Sequence, residues 1–313
     1  MRRTNRFAVL AAVGASVLSL TLAGCGSSGD ASTTAPSGTA SIPTADVISA
    51  VTTDPAINAT LPPDVRASKT LLLGTVLNPG VVNLPHTGVV DGKDVGLDVE
   101  LRDAVAKVLG VTWRKETGTF ASIIPGVQNG KYQVGQANFG VTGEREKVVD
   151  FSTYVTDGQG FLAGAKVPLT KVNTIVDACG YTIATTPGST FQKLLTTHAD
   201  DCAKAGKKPW TVQYFNDTAP IFLGLANGKV DLFFGPVLSL KYDEKHIPGT
   251  KFVGQITSTP VGFVTAKDSG LAEPLSAAIN KLIETGVYGK LFEKWDVPDT
   301  KIDKSLVNPP STF

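Results

Sequence analysis

In the stretch NFGVTGEREKVVDFS, residues 138–152, an arginine stands where helix electrostatics oppose it. Thr142 reads as an N-cap, so Gly143, Glu144 and Arg145 form the first helical turn beside unpaired backbone amides. Glu144 suits the positive end of the helix dipole; Arg145 does not, at a cost of about 0.3 to 1 kcal/mol. Two roles account for the cation: a solvated pair with Glu144 or Glu146, or an anion that comes to meet it. A guanidinium offers two parallel N–H donors to a carboxylate, and helix N-terminal amides add more.

The elements that would hold this residue alternate between strand and helix. KTLLLGTV reads as a buried strand. Leu101, Ala104, Val105, Val108 and Leu109 then mark one face of a helix stopped by Gly110. VTWRKE is a second strand, SIIPGVQNG a helix, and YQVGQANFG the strand that leads to Arg145. The pattern returns in TIATT, a helix over residues 189–205, TVQYF, a helix in TAPIFLGLANG, and VDLFFG. VQNGKYQV (residues 127–134) and LANGKVDL (residues 225–232) echo each other, each a helix ending in Asn-Gly, then a lysine, then a strand. KFVGQI, VGFVTAK, a helix with Leu275, Ala278, Ile279, Leu282 and Ile283 on one face, and the amphipathic VYGKLFEKWDV complete the folded part. The succession predicts an α/β fold of mostly parallel sheets flanked by helices. Ligands of such sheets sit beyond the carboxyl ends of the strands. That places residues 138–145, 187–190, 216–218 and 235 onward at a site.

The ends of the chain concern export. Arg2, Arg3 and Arg6 precede the uncharged run FAVLAAVGASVLSLTLAG, which reads as a signal peptide over residues 1–24. Removing it leaves 26 of the 29 cations against 28 acids, a net charge of −2, and no nucleic-acid partner is implied. Residues 25–68, rich in Ser, Thr, Ala, Gly and Pro, read as a tether with a short helix near its end. In an oxidising compartment Cys179 and Cys202 form an even pair, either a disulfide or two buried thiols. No two of His86, His198 and His246 have metal-ligand spacing, so no metal is expected. Nucleophile-elbow, zincin, dinucleotide and phosphate-loop patterns are missing, which argues against an enzyme and against a cofactor.

LAGC, residues 22–25, resembles the bacterial lipobox, which implies lipidation at Cys25. VGLDVELRDAVAKVLG, FASIIPGVQNGKYQV, GVTGEREKVVDFS, PGSTFQKLL, LANGKVDLFFG and INKLIETGVYGKLFEKW together resemble family 3 extracellular solute-binding proteins, the polar amino-acid receptors of ABC importers. The resemblance implies a type II periplasmic-binding fold of two lobes joined by two hinge strands. Lobe 1 would comprise residues 69–157 and 259–313, lobe 2 residues 158–258, with crossovers near 155–160 and 257–262. It implies a monomer that binds a small carboxylate-bearing ligand and meets permease and ATPase subunits, anchored by lipid on the outer face of the cytoplasmic membrane. Arg145 would grip the carboxylate; Asn138, Thr142, Ser189 and Thr190 would assist, and Phe120 would wall the pocket. Two departures stand out: Gly140 replaces a hydroxyl residue that also binds the carboxylate, and Pro236 stands where an aspartate binds the ligand ammonium. Asp217 offers a charge from another direction, or an N-cap. Two rivals remain, a dehydratase-like enzyme on the same fold and a solute-sensing lipoprotein.

Overall fold

The structure, a computed structural model, describes residues 42–311. The export segment, Cys25 and the start of the tether lie outside the described residues. Among the described residues no helix is long and apolar enough to cross a membrane.

Folding begins ahead of Lys69. Asp54 accepts from the amides of Ala56 and Ile57 at 3.0 and 3.1 Å and starts α1 (Pro55–Ala59); α2 (Pro63–Ser68) follows. Leu61 and Val65 are buried in the main core, and Ile42, Val47, Ile48, Val51 and Ile57 pack against it. The tether expected over residues 25–68 is therefore folded from residue 42 on. Large apolar residues are sparse between residues 42 and 68, but these seven all reach the core.

Then come β1 (Thr70–Val76), a hairpin of β2 (Gly88–Val90) and β3 (Lys93–Val95), α3 (Leu97–Leu109), β4 (Thr112–Gly118), α4 (Phe120–Gln128), β5 (Val134–Gly140) and the single turn α5 (Gly143–Glu146). The chain continues through β6 (Val149–Gly164), β7 (Thr182–Thr185), α6 (Thr190–Thr197), α7 (Asp201–Lys204), β8 (Thr211–Tyr214), α8 (Ala219–Asn227), β9 (Leu232–Pro236) and α9 (Val237–His246). It ends with β10 (Thr250–Ala266), α10 (Ala272–Glu284) and α11 (Val287–Lys294). The hairpin and α9 are not marked in the sequence by strong periodicity. The helix expected over residues 189–205 is broken in two: α6 ends with His198 as its C-cap, and the His198 ring bonds Asp201 at 2.7 Å at the start of α7. Cys202, buried on α7, is disulfide-bonded to Cys179.

Eight strands form one sheet in the order β4-β1-β5-β10-β6-β9-β7-β8. Its middle is the antiparallel pair of β6 and β10, 16 and 17 residues long, in which Thr156 faces Pro260 and Gly158 faces Ser258. Parallel strands flank this pair on both sides, β5, β1 and β4 on one and β9, β7 and β8 on the other. The chain thus passes from one α/β lobe to the other along β6 and returns along β10.

The two lobes repeat a local device. Asn129 Oδ1 accepts from the Lys131 amide at 3.1 Å, and Asn227 Oδ1 from the Lys229 amide at 3.0 Å. Gly130 and Gly228 both have φ near 78°, which only glycine adopts without strain. The amides two residues beyond return to helix carbonyls, Tyr132 to Gly126 and Val230 to Gly224, both at 3.1 Å. The echo between VQNGKYQV and LANGKVDL is thus one helix-to-strand turn used twice.

One buried charge lacks any such accommodation. Asp243 of α9 is fully buried, and neither carboxylate oxygen has a hydrogen-bond partner among the described residues. Burial pushes its pKa well above the usual carboxylate range. Above about pH 3.9 the unfolded chain releases this proton while the folded chain keeps it, so this group lowers stability as pH rises. The stability gap between Asp243→Asn and the native chain should therefore widen in favour of the variant from pH 4 to 7, by up to about 1.4 kcal/mol per unit. Urea denaturation at three pH values measures it; a gap independent of pH would mean that Asp243 is ionised in the fold.

Candidate functional site

A cleft opens at the carboxyl ends of the parallel strands of both lobes. Thr75 and Val76 end β1, Asn138 lies near the end of β5, and Phe120 opens α4 on one side. Thr186 and Ser189 follow β7, Asn216 and Thr218 follow β8, and Phe233 and Pro236 come from β9 on the other. Its free space is about 80 Å³. A wider groove of about 530 Å³ lies between α9 and α11, but none of the candidate ligand residues reaches it.

Arg145, like Gly140, Thr142 and Thr190, is not among the residues that line this space; it lies beside Phe120, which does, and reaches the residue before Ser189. Its Nη1 donates to the Gly140 carbonyl at 2.8 Å, and its Nη2 crosses to the other lobe to donate to the Gly188 carbonyl at 2.9 Å. The guanidinium lies 5.6 Å from the ring centres of both Phe120 and Phe139, which are 4.8 Å apart. Thr142 is the N-cap expected, accepting from the Arg145 amide at 3.2 Å. Yet α5 has only four residues, so Arg145 belongs to its last turn as much as its first, and the dipole penalty largely disappears. The surface pairs with Glu144 or Glu146 do not form. Glu144 bonds Lys193 at 3.2 Å instead, and no carboxylate lies within ion-pairing distance of Arg145 among the described residues. Burial lowers the Arg145 pKa to about 10, the Glu144 charge opposing, and the side chain stays cationic at neutral pH.

Other candidates divide. Phe120, Asn138 and Ser189 line the cleft. Ser189 is the N-cap of α6, accepting from the Gln192 amide and donating to the Thr186 carbonyl at 2.6 Å. Thr190 is buried, and its methyl faces Gly140 from the opposite lobe. Asp217 is exposed, lies outside the cleft lining and does not cap α8, whose N-cap is Thr218 without a side-chain bond. Pro236 lines the cleft as the N-cap of α9 and offers no donor.

The floor of the cleft carries charges that sequence reasoning passed over. His86, buried, directs Nδ1 to Asp98 at 3.3 Å and Nε2 to Asp157 at 2.9 Å. Burial alone would lower its pKa, but the Asp98 charge and the hydrogen bonds to both aspartates raise it to about 10, so His86 is a buried imidazolium. Asp98 also accepts from the Tyr154 hydroxyl at 3.0 Å. Asp157 accepts from Asn138 Nδ2 at 2.9 Å and from the amides of Gly158 and Leu238 at 2.7 and 3.1 Å. The bond to Asp157 fixes the Asn138 amide, whose Oδ1 is buried without a hydrogen-bond partner. An aspartate within the long strand β6 was the available signal, but a partner 71 residues away cannot be read from local pattern.

Gly140 has a steric reason. A Cβ there would come 2.7 Å from the Thr259 methyl on β10. Gly140→Ser should therefore cost about 1 to 3 kcal/mol by overpacking. Adding Thr259→Ser, which removes that methyl, should recover most of it in a double-mutant cycle by thermal denaturation; an unrelieved cost would place the clash elsewhere.

Comparisons with known proteins agree with this architecture. Residues 82–297 match the model of bacterial extracellular solute-binding proteins, family 3. The arginine-binding protein ArgT of Corynebacterium glutamicum is 26% identical over 229 residues, 70% of this chain and 72% of its own. An ancestral arginine-binding protein bound to arginine superposes with a TM-score of 0.64 at 30% identity, over 72% of this chain and 98% of its own. The ancestral amino acid-binding protein AncCDT-1, a precursor of cyclohexadienyl dehydratase, gives 0.65 at 26% identity, over 74% and 97%. With two α/β lobes joined by β6 and β10 and the family pattern spanning both, the chain belongs to the family 3 bacterial extracellular solute-binding proteins.

Proposed function

We propose that this chain is the substrate-binding lipoprotein of an ABC importer, and that it captures a small carboxylate-bearing solute, an amino acid or amino-acid-like compound, between its lobes. The observation that carries the reading is Arg145. It is a half-buried cation backed by two aromatic rings and, among the described residues, its guanidinium bonds the carbonyls of Gly140 and Gly188. Carbonyl dipoles are weaker partners for a guanidinium than a carboxylate, so an anionic ligand gains by displacing them. The matched relatives named as arginine-binding or amino acid-binding proteins support a solute of this class.

The lobes are taken as residues 69–157 with 259–313, and 158–258, closing about β6 and β10 in the hinge manner of periplasmic binding proteins. Export is read from the first 24 residues and lipidation from Cys25. The mature protein would then act as a monomer on the outer face of the membrane, delivering solute to permease and ATPase subunits. Two or more acyl chains would give the stable anchoring that one does not. The likeness to a dehydratase precursor keeps an enzyme in view. However, His86 and Asp98, the titratable residues of the cleft lining, hold each other, which favours binding over proton transfer.

Arg145→Ala should weaken a carboxylate ligand by about 2 to 4 kcal/mol in isothermal titration, with Arg145→Lys intermediate. An unchanged affinity would remove Arg145 from the site. Cys25→Ser should move the protein from the membrane to the soluble fraction; continued membrane association would count against a lipid anchor.

A further inference from the structure

An amino acid held by Arg145 at its carboxylate still needs a partner for its α-ammonium, and Pro236, in the wall built from the second lobe, has neither charge nor N–H. The titratable residues of the lining do not offer one. His86 and Asp98 hold each other at 3.3 Å, and Asp98 also accepts from the Tyr154 hydroxyl.

Asn138 differs from its neighbours. Of the residues that line the cleft, it is the one with a buried polar atom, Oδ1, that has no hydrogen-bond partner among the described residues. Chemistry decides which end of the amide this is. Asp157 Oδ2 accepts from the His86 imidazolium at 2.9 Å, so the Asn138 amide must turn its N–H to that oxygen, also at 2.9 Å, and its own oxygen away. An amide oxygen buried in this way has given up water and gained nothing in return, and a ligand N–H would supply what is missing.

The charge behind that oxygen favours a cation. His86 spans Asp98 and Asp157, so the floor sets one imidazolium against two aspartates. The bond from Nδ2 to Asp157 also polarises the amide, which makes Oδ1 a stronger acceptor than an isolated amide oxygen.

We infer that Asn138 Oδ1 accepts an N–H from the α-ammonium of the ligand, in place of the aspartate that Pro236 replaces. The inference rests on the reading of an amino-acid solute held at its carboxylate by Arg145. Asn138 thus meets the amine, not the carboxylate that the resemblance assigned to it.

The test is isothermal titration of the full-length chain with two pairs of probes: l-glutamine with glutaramate, and l-arginine with 5-guanidinopentanoate. The second member of each pair lacks only the α-amino group. The native chain should bind an amino acid roughly tenfold or more tightly than its counterpart, since a hydrogen bond to a charged group is lost with the amine. Asn138→Gly removes the amide, and glycine adopts the left-handed backbone of this position, φ 56°, without strain. In that variant the preference for the amine should disappear. Arg145→Ala, by contrast, should weaken both members of a pair and preserve their ratio. A native chain without the preference, which needs no variant to measure, overturns the inference, and so does a preference that survives Asn138→Gly. In either case, binding that is lost in Arg145→Ala leaves the carboxylate reading standing. If none of the four probes binds the native chain, both fall.

Discussion

Asp157 joins three parts of the molecule through one carboxylate. It lies in β6, where the chain leaves the first lobe, and is almost wholly buried. One oxygen binds the His86 imidazolium and the Asn138 amide, both on the cleft floor of the first lobe; the other binds the amides of Gly158 and Leu238, the latter in the first turn of α9. A buried carboxylate is tolerable only with such saturation, since each lost donor leaves charge uncompensated in a medium of low dielectric. His86 returns the favour by spanning Asp157 and Asp98, so the floor of the cleft is a closed ionic cluster. The strands β5 and β6, the loop before β2 and helix α9 are held to one arrangement by it.

This closure is also what makes Arg145 chemically distinct. Charges on the floor are mutually paired and fixed, whereas Arg145 rests on two backbone carbonyls, one from each lobe. A buried ionic cluster can orient neighbours, as Asp157 orients the Asn138 amide, whose Oδ1 is left without a hydrogen-bond partner among the described residues. A guanidinium held by dipoles alone can exchange them for an anion. Position and partner set, more than residue type, separate the mutually paired ions of the floor from Arg145.

Much of this was legible in the sequence. Periodicity located the strands and most of the helices, and the doubled Asn-Gly-Lys motif marked the same turn in both lobes, because a left-handed glycine and an asparagine side-chain bond are local requirements. Phe120, Asn138 and Ser189 fell on the cleft because they lie near helix starts or strand ends, where α/β folds place ligands. What escaped was non-local. His86 was set aside as one of three scattered histidines, and its partners lie 12 and 71 residues away. Asp217 is exposed and outside the cleft lining, although its neighbours Asn216 and Thr218 both belong to it. The reason for Gly140 lay in the methyl of Thr259, more than a hundred residues on.

The contacts between the lobes bear on how such a cleft opens. Apart from β6 and β10, which run unbroken through both, several of the bridges across are polar and partly solvated. Arg145 meets Gly188, Glu144 meets Lys193, the Ser239 hydroxyl donates to the Asn83 carbonyl at 3.0 Å, and Lys245 pairs with Asp296 at 3.1 Å. Exposed ion pairs of this kind contribute about 0 to 1 kcal/mol each, because water replaces the partner when they part. The pairing of β6 with β10, by contrast, runs through fifteen residues of each strand and is shielded over much of its length. Separation of the lobes, as proposed above, would part the exposed bridges, whose partners water can replace. In the proposed hinge motion bending would fall on the two long strands, and Arg145, bonded to Gly140 on one side and Gly188 on the other, would lose one of its two carbonyl partners as the gap widens.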